Sequence, residues 1–162
     1  MKYLWAGMLM VVAVTVQAER AEVGQPFPVY TLMDQFGKTN TLAETTRFVV
    51  VASEKQVSTG LNAWLKTKEA GYLADHAAEY VSDIEPMPGI ITVLFALPKM
   101  KKYPFPVLLA REKSFAATYP SEAGRIAVFH LDAGQVLTAV SFVETPAEVE
   151  ALLVAGQEPA AP

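Results

Sequence analysis

Five consecutive residues, Phe48-Val49-Val50-Val51-Ala52, constrain this chain more than any other stretch. A run that is apolar at every position and rich in β-branched side chains has no polar face. As a strand it must therefore be covered on both sides, which calls for a sheet between two other layers. Val107-Leu108-Leu109-Ala110 has the same character. The covering layers are also legible. Leu61, Trp64 and Leu65 recur at i, i+3 and i+4 behind Ser58, which predicts a helix capped by Ser58 and stopped near Gly71. Pro88-Gly89 predicts the entry of a second helix carrying Ile90, Ile91, Val93, Leu94 and Leu97, with a kink or fresh turn at Pro98. Phe115 to Tyr119 reads as a helical turn. Thr145-Pro146-Ala147-Glu148 reads as a capping box opening a last helix with Val149, Leu152 and Leu153.

Two short β-prone runs, Val29 to Leu32 and Thr39 to Leu42, flank Met33-Asp34-Gln35-Phe36-Gly37-Lys38 and predict a hairpin. Tyr80 to Ile84 is a further strand. Ile126 to Leu131 and Gln135 to Phe142 form a second hairpin across Asp132-Ala133-Gly134. Strands alternating with helices and closing on an antiparallel pair predict an α/β domain in three layers, a central mixed sheet with helices on both faces.

The ends of the chain have a different character. Lys2, an apolar run from Leu4 to Val14 and small residues at Val16 and Ala18 form the pattern of a secretory signal peptide. About a dozen apolar residues fall short of the roughly 20 that span a bilayer, so no stable membrane anchor is expected after cleavage. Residues 155–162, AGQEPAAP, read as a disordered tail. That leaves 19–154 as one domain, located in the periplasm or secreted. No cysteine occurs in the 162 residues, which removes disulfides, thiolate catalysis and sulfur-liganded zinc. A net charge of −4 argues against nucleic acid as a partner.

Three phrases in order carry a resemblance. Val23-Gly24-Gln25-Pro26-Phe27-Pro28 leads into Gln35-Phe36-Gly37-Lys38. Phe105-Pro106-Val107-Leu108-Leu109-Ala110 is followed by Ala116-Ala117-Thr118-Tyr119. Arg125 to Gly134 then reads RIAVFHLDAG. Together they resemble the peroxiredoxin and thiol-reductase branch of thioredoxin-fold proteins over about residues 23–154. The resemblance implies a thioredoxin-like fold with an N-terminal β-hairpin. It also places a redox loop after the strand 48–52, where a helix N-terminus stabilises a thiolate. Here that loop reads Ser53-Glu54-Lys55-Gln56-Val57-Ser58-Thr59-Gly60. A two-cysteine register puts Gln56 and Thr59 at the reactive positions, and a peroxiredoxin register puts Gly60 there. Neither supplies sulfur, so thiol peroxidase and disulfide reductase chemistry are excluded. The chain is also similar to small exported thioredoxin-fold proteins of unassigned role, through Ser58-Thr59-Gly60-Leu61-Asn62-Ala63, Pro88-Gly89 and Lys101-Lys102-Tyr103-Pro104.

The resemblance implies that Arg125 matches an arginine that donates to the reactive thiolate and to peroxide. Without its cysteine, that guanidinium could hold an anion or carboxylate, or simply pair with Glu122. Where thioredoxins proper have a cis-proline this chain has Arg125-Ile126, which speaks against their peptide groove. The expected binding edge therefore gathers Gln56, Ser58, Thr59, Gly60 and Arg125, with Tyr103 and Phe105 as an apolar wall. Its ligand would be a protein, peptide or small anion, and no cofactor is implied. Two rivals stand beside this binding reading. One is an enzyme of non-thiol chemistry, hydrolase-like through Ser58, Thr59, His130 or Arg125; His130, Asp132 and Ser141 hint at a triad but lack a nucleophile elbow. The other is a homodimeric scaffold. Asp75, His76 and Glu79 have ligand spacing but no further ligand, so no metal site is expected. Lys99, Lys101 and Lys102 among aromatics could touch acidic lipid or a nucleic acid, but three charges are a small patch on a net-acidic chain. A soluble helix end is the favoured reading.

Overall fold

The computed structural model describes residues 20–157. The signal-peptide expectation for 1–18 and most of the expected tail lie outside them. Seven strands form one sheet: β1 (Thr31–Asp34), β2 (Thr39–Thr41), β3 (Phe48–Ala52), β4 (Ala78–Asp83), β5 (Leu108–Ala110), β6 (Ile126–Leu131) and β7 (Leu137–Val143). Their spatial order is β2-β1-β5-β4-β3-β6-β7. The central strands β3, β4 and β5 run parallel, while β6, β7, β1 and β2 add to the two sides antiparallel.

The alternation along β3 builds both cores. Phe48, Val50 and Ala52 face one side, where they meet helices α1 (Lys55–Leu65) and α6 (Pro146–Ala155) through Leu61, Leu65, Val149 and Leu153. Val49 and Val51 face the other, with Phe115 of α5 (Lys113–Thr118), Tyr119, and the N-terminal segment through Phe27 and Tyr30. A strand with no polar face thus sits between two apolar layers, as its composition requires. The first hairpin is pinned by Gln35, whose buried amide donates to Phe105 O (2.9 Å) and accepts from Val107 N–H (2.9 Å). Its turn uses Gly37 at φ +84°, with Asp34 Oδ1 accepting from the Phe36 and Lys38 amides.

Several expectations need correction. Ser58 does not cap α1; the cap position is Glu54, and Ser58 lies a full turn inside the helix. Gly71 does not stop α1 either, because the helix ends at Leu65 and Gly71 instead precedes the short α2 (Tyr72–Asp75). β4 starts two residues earlier than expected, at Ala78. The helical stretch after Pro88 comprises α3 (Gly89–Ile91), a π-helical turn (Thr92–Ala96) and α4 (Leu97–Met100). The wide turn ends where Pro98, which has no N–H to give, interrupts the ladder. At the other end, α6 runs to Ala155 and Gln157 Nε2 donates to Asp75 O, so 155–157 belong to the fold rather than to a tail.

Candidate functional site

β3, β4 and β5 are parallel, so the loops leaving their carboxyl ends gather at one edge, where ligands of open α/β sheets bind. A cavity of about 460 Å3 lies there. Ser58 and Thr59 of α1 line it together with Tyr103, bringing together three of the residues picked out by sequence. Gln56, Gly60, Phe105 and Arg125 do not line it. Phe105 is buried and stacks on Tyr103 with ring centroids 5.2 Å apart, so it supports the wall from behind.

The floor of the cavity is polar and buried. Ser82, at the end of β4, is 1% exposed and its Oγ lies 3.3 Å from Ser58 Oγ. Asn62, one turn further along α1, is 6% exposed. The Tyr80 hydroxyl lies in the core near these side chains, outside the cavity lining. Burial raises its pKa, while Ser58, Ser82 and Asn62 lie close enough to favour its ionised form. Yet neither Tyr80 Oη nor Asn62 Oδ1 makes a hydrogen bond of standard geometry. Buried polar atoms in a folded domain are nearly always paired, and of these two residues Asn62 is the one that lines the cavity. The walls are apolar, chiefly Ile84, Met87, Ile91, Phe95 and Met100. Lys55, Lys99 and Asp83 bring charge to the lining, and burial raises the Asp83 pKa.

Arg125 occupies another position. Its guanidinium lies 3.3 Å from both Glu122 Oε2 and Glu144 Oε1, a surface ion-pair arrangement. The loops before α1 and before β6 do meet, but through Glu54 Oε1 accepting from Gly124 N–H at 2.8 Å. Three carboxylates therefore surround the place where a helix N-terminus and Arg125 were expected to attract an anion. His130 Nε2 lies 3.0 Å from Ser141 Oγ, whereas Asp132 Oδ1 accepts from the Gly134 and Val136 amides and so serves the turn. His76 stacks on Tyr72 while Glu79 accepts from the Tyr30 and Thr46 hydroxyls, and among the described residues no group of acids and histidines is placed to hold a metal ion.

No protein-family model matches the chain, and no curated protein matches its sequence. Solved structures do. The peroxidoxin BcpB from Mycobacterium tuberculosis superposes with a TM-score of 0.59 at 16% identity, covering 88% of this chain and 100% of that one. A thio-disulfide isomerase from Thermus thermophilus gives 0.53 at 21%, covering 85% and 99%. The thioredoxin domain of a thiol-disulfide oxidoreductase from Bacteroides vulgatus gives 0.51 at 15%, covering 82% and 98%. The chain has a thioredoxin-like fold. At these identities the likeness establishes the fold and nothing finer. Within that fold, Gln56 lies in the first turn of α1, where amide groups are unpaired, and Gly60 lies beyond it. With no cysteine at either position or anywhere else, this thioredoxin-like domain has no thiol chemistry.

Sequence reasoning missed Asn62, Tyr80 and Ser82. A signal was present: Asn62 interrupts the apolar face of α1 beside Leu61 and Leu65, and Ser82 interrupts an otherwise apolar inward row on β4.

Proposed function

We propose that this protein is an exported, redox-inactive thioredoxin-like module that binds a peptide in the cavity between α1 and the 84–103 segment. The supporting observation is the unpaired Asn62 Oδ1 beside the buried Ser82 in the lining of an apolar-walled cavity. A peptide meets both demands, with an apolar side chain against Met87 and Phe95 and a backbone group over the polar floor. A small anion could meet Lys55 and Lys99, but it would leave the apolar wall of Ile84, Met87, Ile91, Phe95 and Met100 uncovered.

The test is an amide chemical-shift titration with a pool of short apolar peptides. Saturable shifts at Ser58, Thr59, Asn62 and Ser82 are expected. Asn62→Leu removes an unpaired buried acceptor, so it should hold or raise the thermal midpoint while weakening peptide binding roughly tenfold. Absence of binding, or shifts confined to another surface, overturns the reading. The rival enzyme reading has one supporting contact, His130 with Ser141. Ester hydrolysis by the purified protein that disappears in Ser141→Ala would favour it.

A further inference from the structure

Helices on a protein surface normally turn their apolar residues inward. The stretch from Gly89 to Met100 turns Leu97 and Met100 inward but leaves most of its large apolar side chains outside. Its residues against the body include Thr92, 5% exposed, and Met100, while Phe95 is 65% exposed and Ile90, Val93 and Leu94 are more than half exposed. Four large apolar side chains thus project outward from one short helical stretch, and among the described residues nothing covers them.

The charge beside them is also distinctive. From Pro86 to Arg111 the sequence contains no Asp or Glu, but it contains Lys99, Lys101, Lys102 and Arg111, in a chain whose net charge is −4. The three lysines are exposed and follow Phe95 within seven residues. The chain stays coiled through them, with Lys101 N–H donating to Leu97 O, Lys102 N–H to Lys99 O and Tyr103 N–H to Met100 O. Outward apolar side chains flanked by an acid-free cluster of lysines match an interface of hydrocarbon beneath anionic headgroups. Twelve residues are too few to span a bilayer, and no helix among the described residues is long and apolar enough to do so. On a bilayer such a stretch would therefore lie in the interface rather than span it.

We infer that residues 89–102 dock this protein on an anionic lipid surface, with Ile90, Val93, Leu94 and Phe95 entering the headgroup boundary and Lys99, Lys101 and Lys102 contacting the lipid phosphates. The observations behind it differ from those behind the peptide reading, but Ile91, Phe95 and Lys99 also line the cavity, so lipid and peptide would compete for them. A second copy of the chain would bring the same lysines against each other, which the lipid surface does not.

The absence of native cysteine makes the test specific. Val93→Cys provides a single labelling position for an environment-sensitive fluorophore in the full chain. Vesicles of phosphatidylcholine with phosphatidylglycerol should shift its emission to the blue, saturably, and pure phosphatidylcholine should do so far more weakly. Adding Lys99→Glu, Lys101→Glu and Lys102→Glu should weaken the response by roughly a hundredfold or more, from the loss of three surface attractions. An emission that stays aqueous with the anionic vesicles overturns the proposal, and because the probe reports position 93, attachment through another part of the chain gives that same negative. An equal response to both vesicle types also overturns it. A blue shift that grows with protein concentration in the absence of lipid assigns the face to a second copy instead.

Discussion

His130 is a half-buried imidazole set edge-on to Phe48 at 5.3 Å, with Nε2 against the Ser141 hydroxyl. Burial lowers its pKa below the usual 6.5 or so. In the unfolded chain the ring takes up its proton near that usual value, whereas in the folded chain it does so only at lower pH. Between the two values the unfolded state binds more protons, so stability falls as pH drops from about 7 through 6.5 and levels off once the folded ring is also protonated. His130→Gln removes this contribution. Thermal midpoints of the two proteins, taken from about pH 7.5 to 5, should converge on acidification if wild type starts higher. Parallel curves would mean that the ring titrates alike in both states. At this same scale, Arg125 illustrates how a residue type can mislead: a guanidinium suits anion binding, but two neighbouring carboxylates already face it.

Among the elements, α6 is the one whose local sequence most fully dictates its start. Thr145 Oγ1 accepts from Glu148 N–H, the Glu148 carboxylate returns to the Thr145 amide, and Pro146 fills the first turn. Those bonds also lower the Glu148 pKa. Thr145→Ala should cost about 1 kcal/mol in denaturant unfolding. A loss too small to measure would mean that docking of Val149 and Leu153 alone fixes the helix. The box was legible because it is a contact among four consecutive residues. β3, β5 and β6 were legible because burial on both faces leaves no polar row in the strand. The hairpins were legible through the Gly-containing turns between their β-prone runs, though β1 lies two residues later than expected. The start of α1 was not. Ser58 has the better capping side chain, but the chain leaves β3 at Ala52 and turns at once, so the helix begins at Lys55 and the Ser58 hydroxyl meets Ser82 from β4. Nor was the cavity, whose floor joins positions 58, 62 and 82 across two elements. The 89–100 stretch has a helical apolar period, and sequence alone does not say whether that face meets the core or the outside.

For the whole molecule, the fold and the missing sulfur pull apart. A thioredoxin-like scaffold offers a helix N-terminus after β3, which in thiol proteins holds a cysteine as thiolate. This chain has Glu54, Lys55 and Gln56 there, and Glu54 is tied to Gly124. A threonine or serine hydroxyl cannot replace the sulfur, since no helix terminus lowers its pKa enough to make a peroxide-reducing nucleophile at neutral pH. With no cysteine there is also no disulfide to open, so stability rests on the two apolar layers about the sheet. Two outcomes follow together. Purified protein given hydrogen peroxide with a thiol donor, or insulin with dithiothreitol, should turn over no faster than the buffer blank. Its thermal midpoint should be the same with and without reductant. Turnover that follows the protein through two unrelated purification steps would require a reactive group other than sulfur, and Ser141 beside His130 would be the first position to replace.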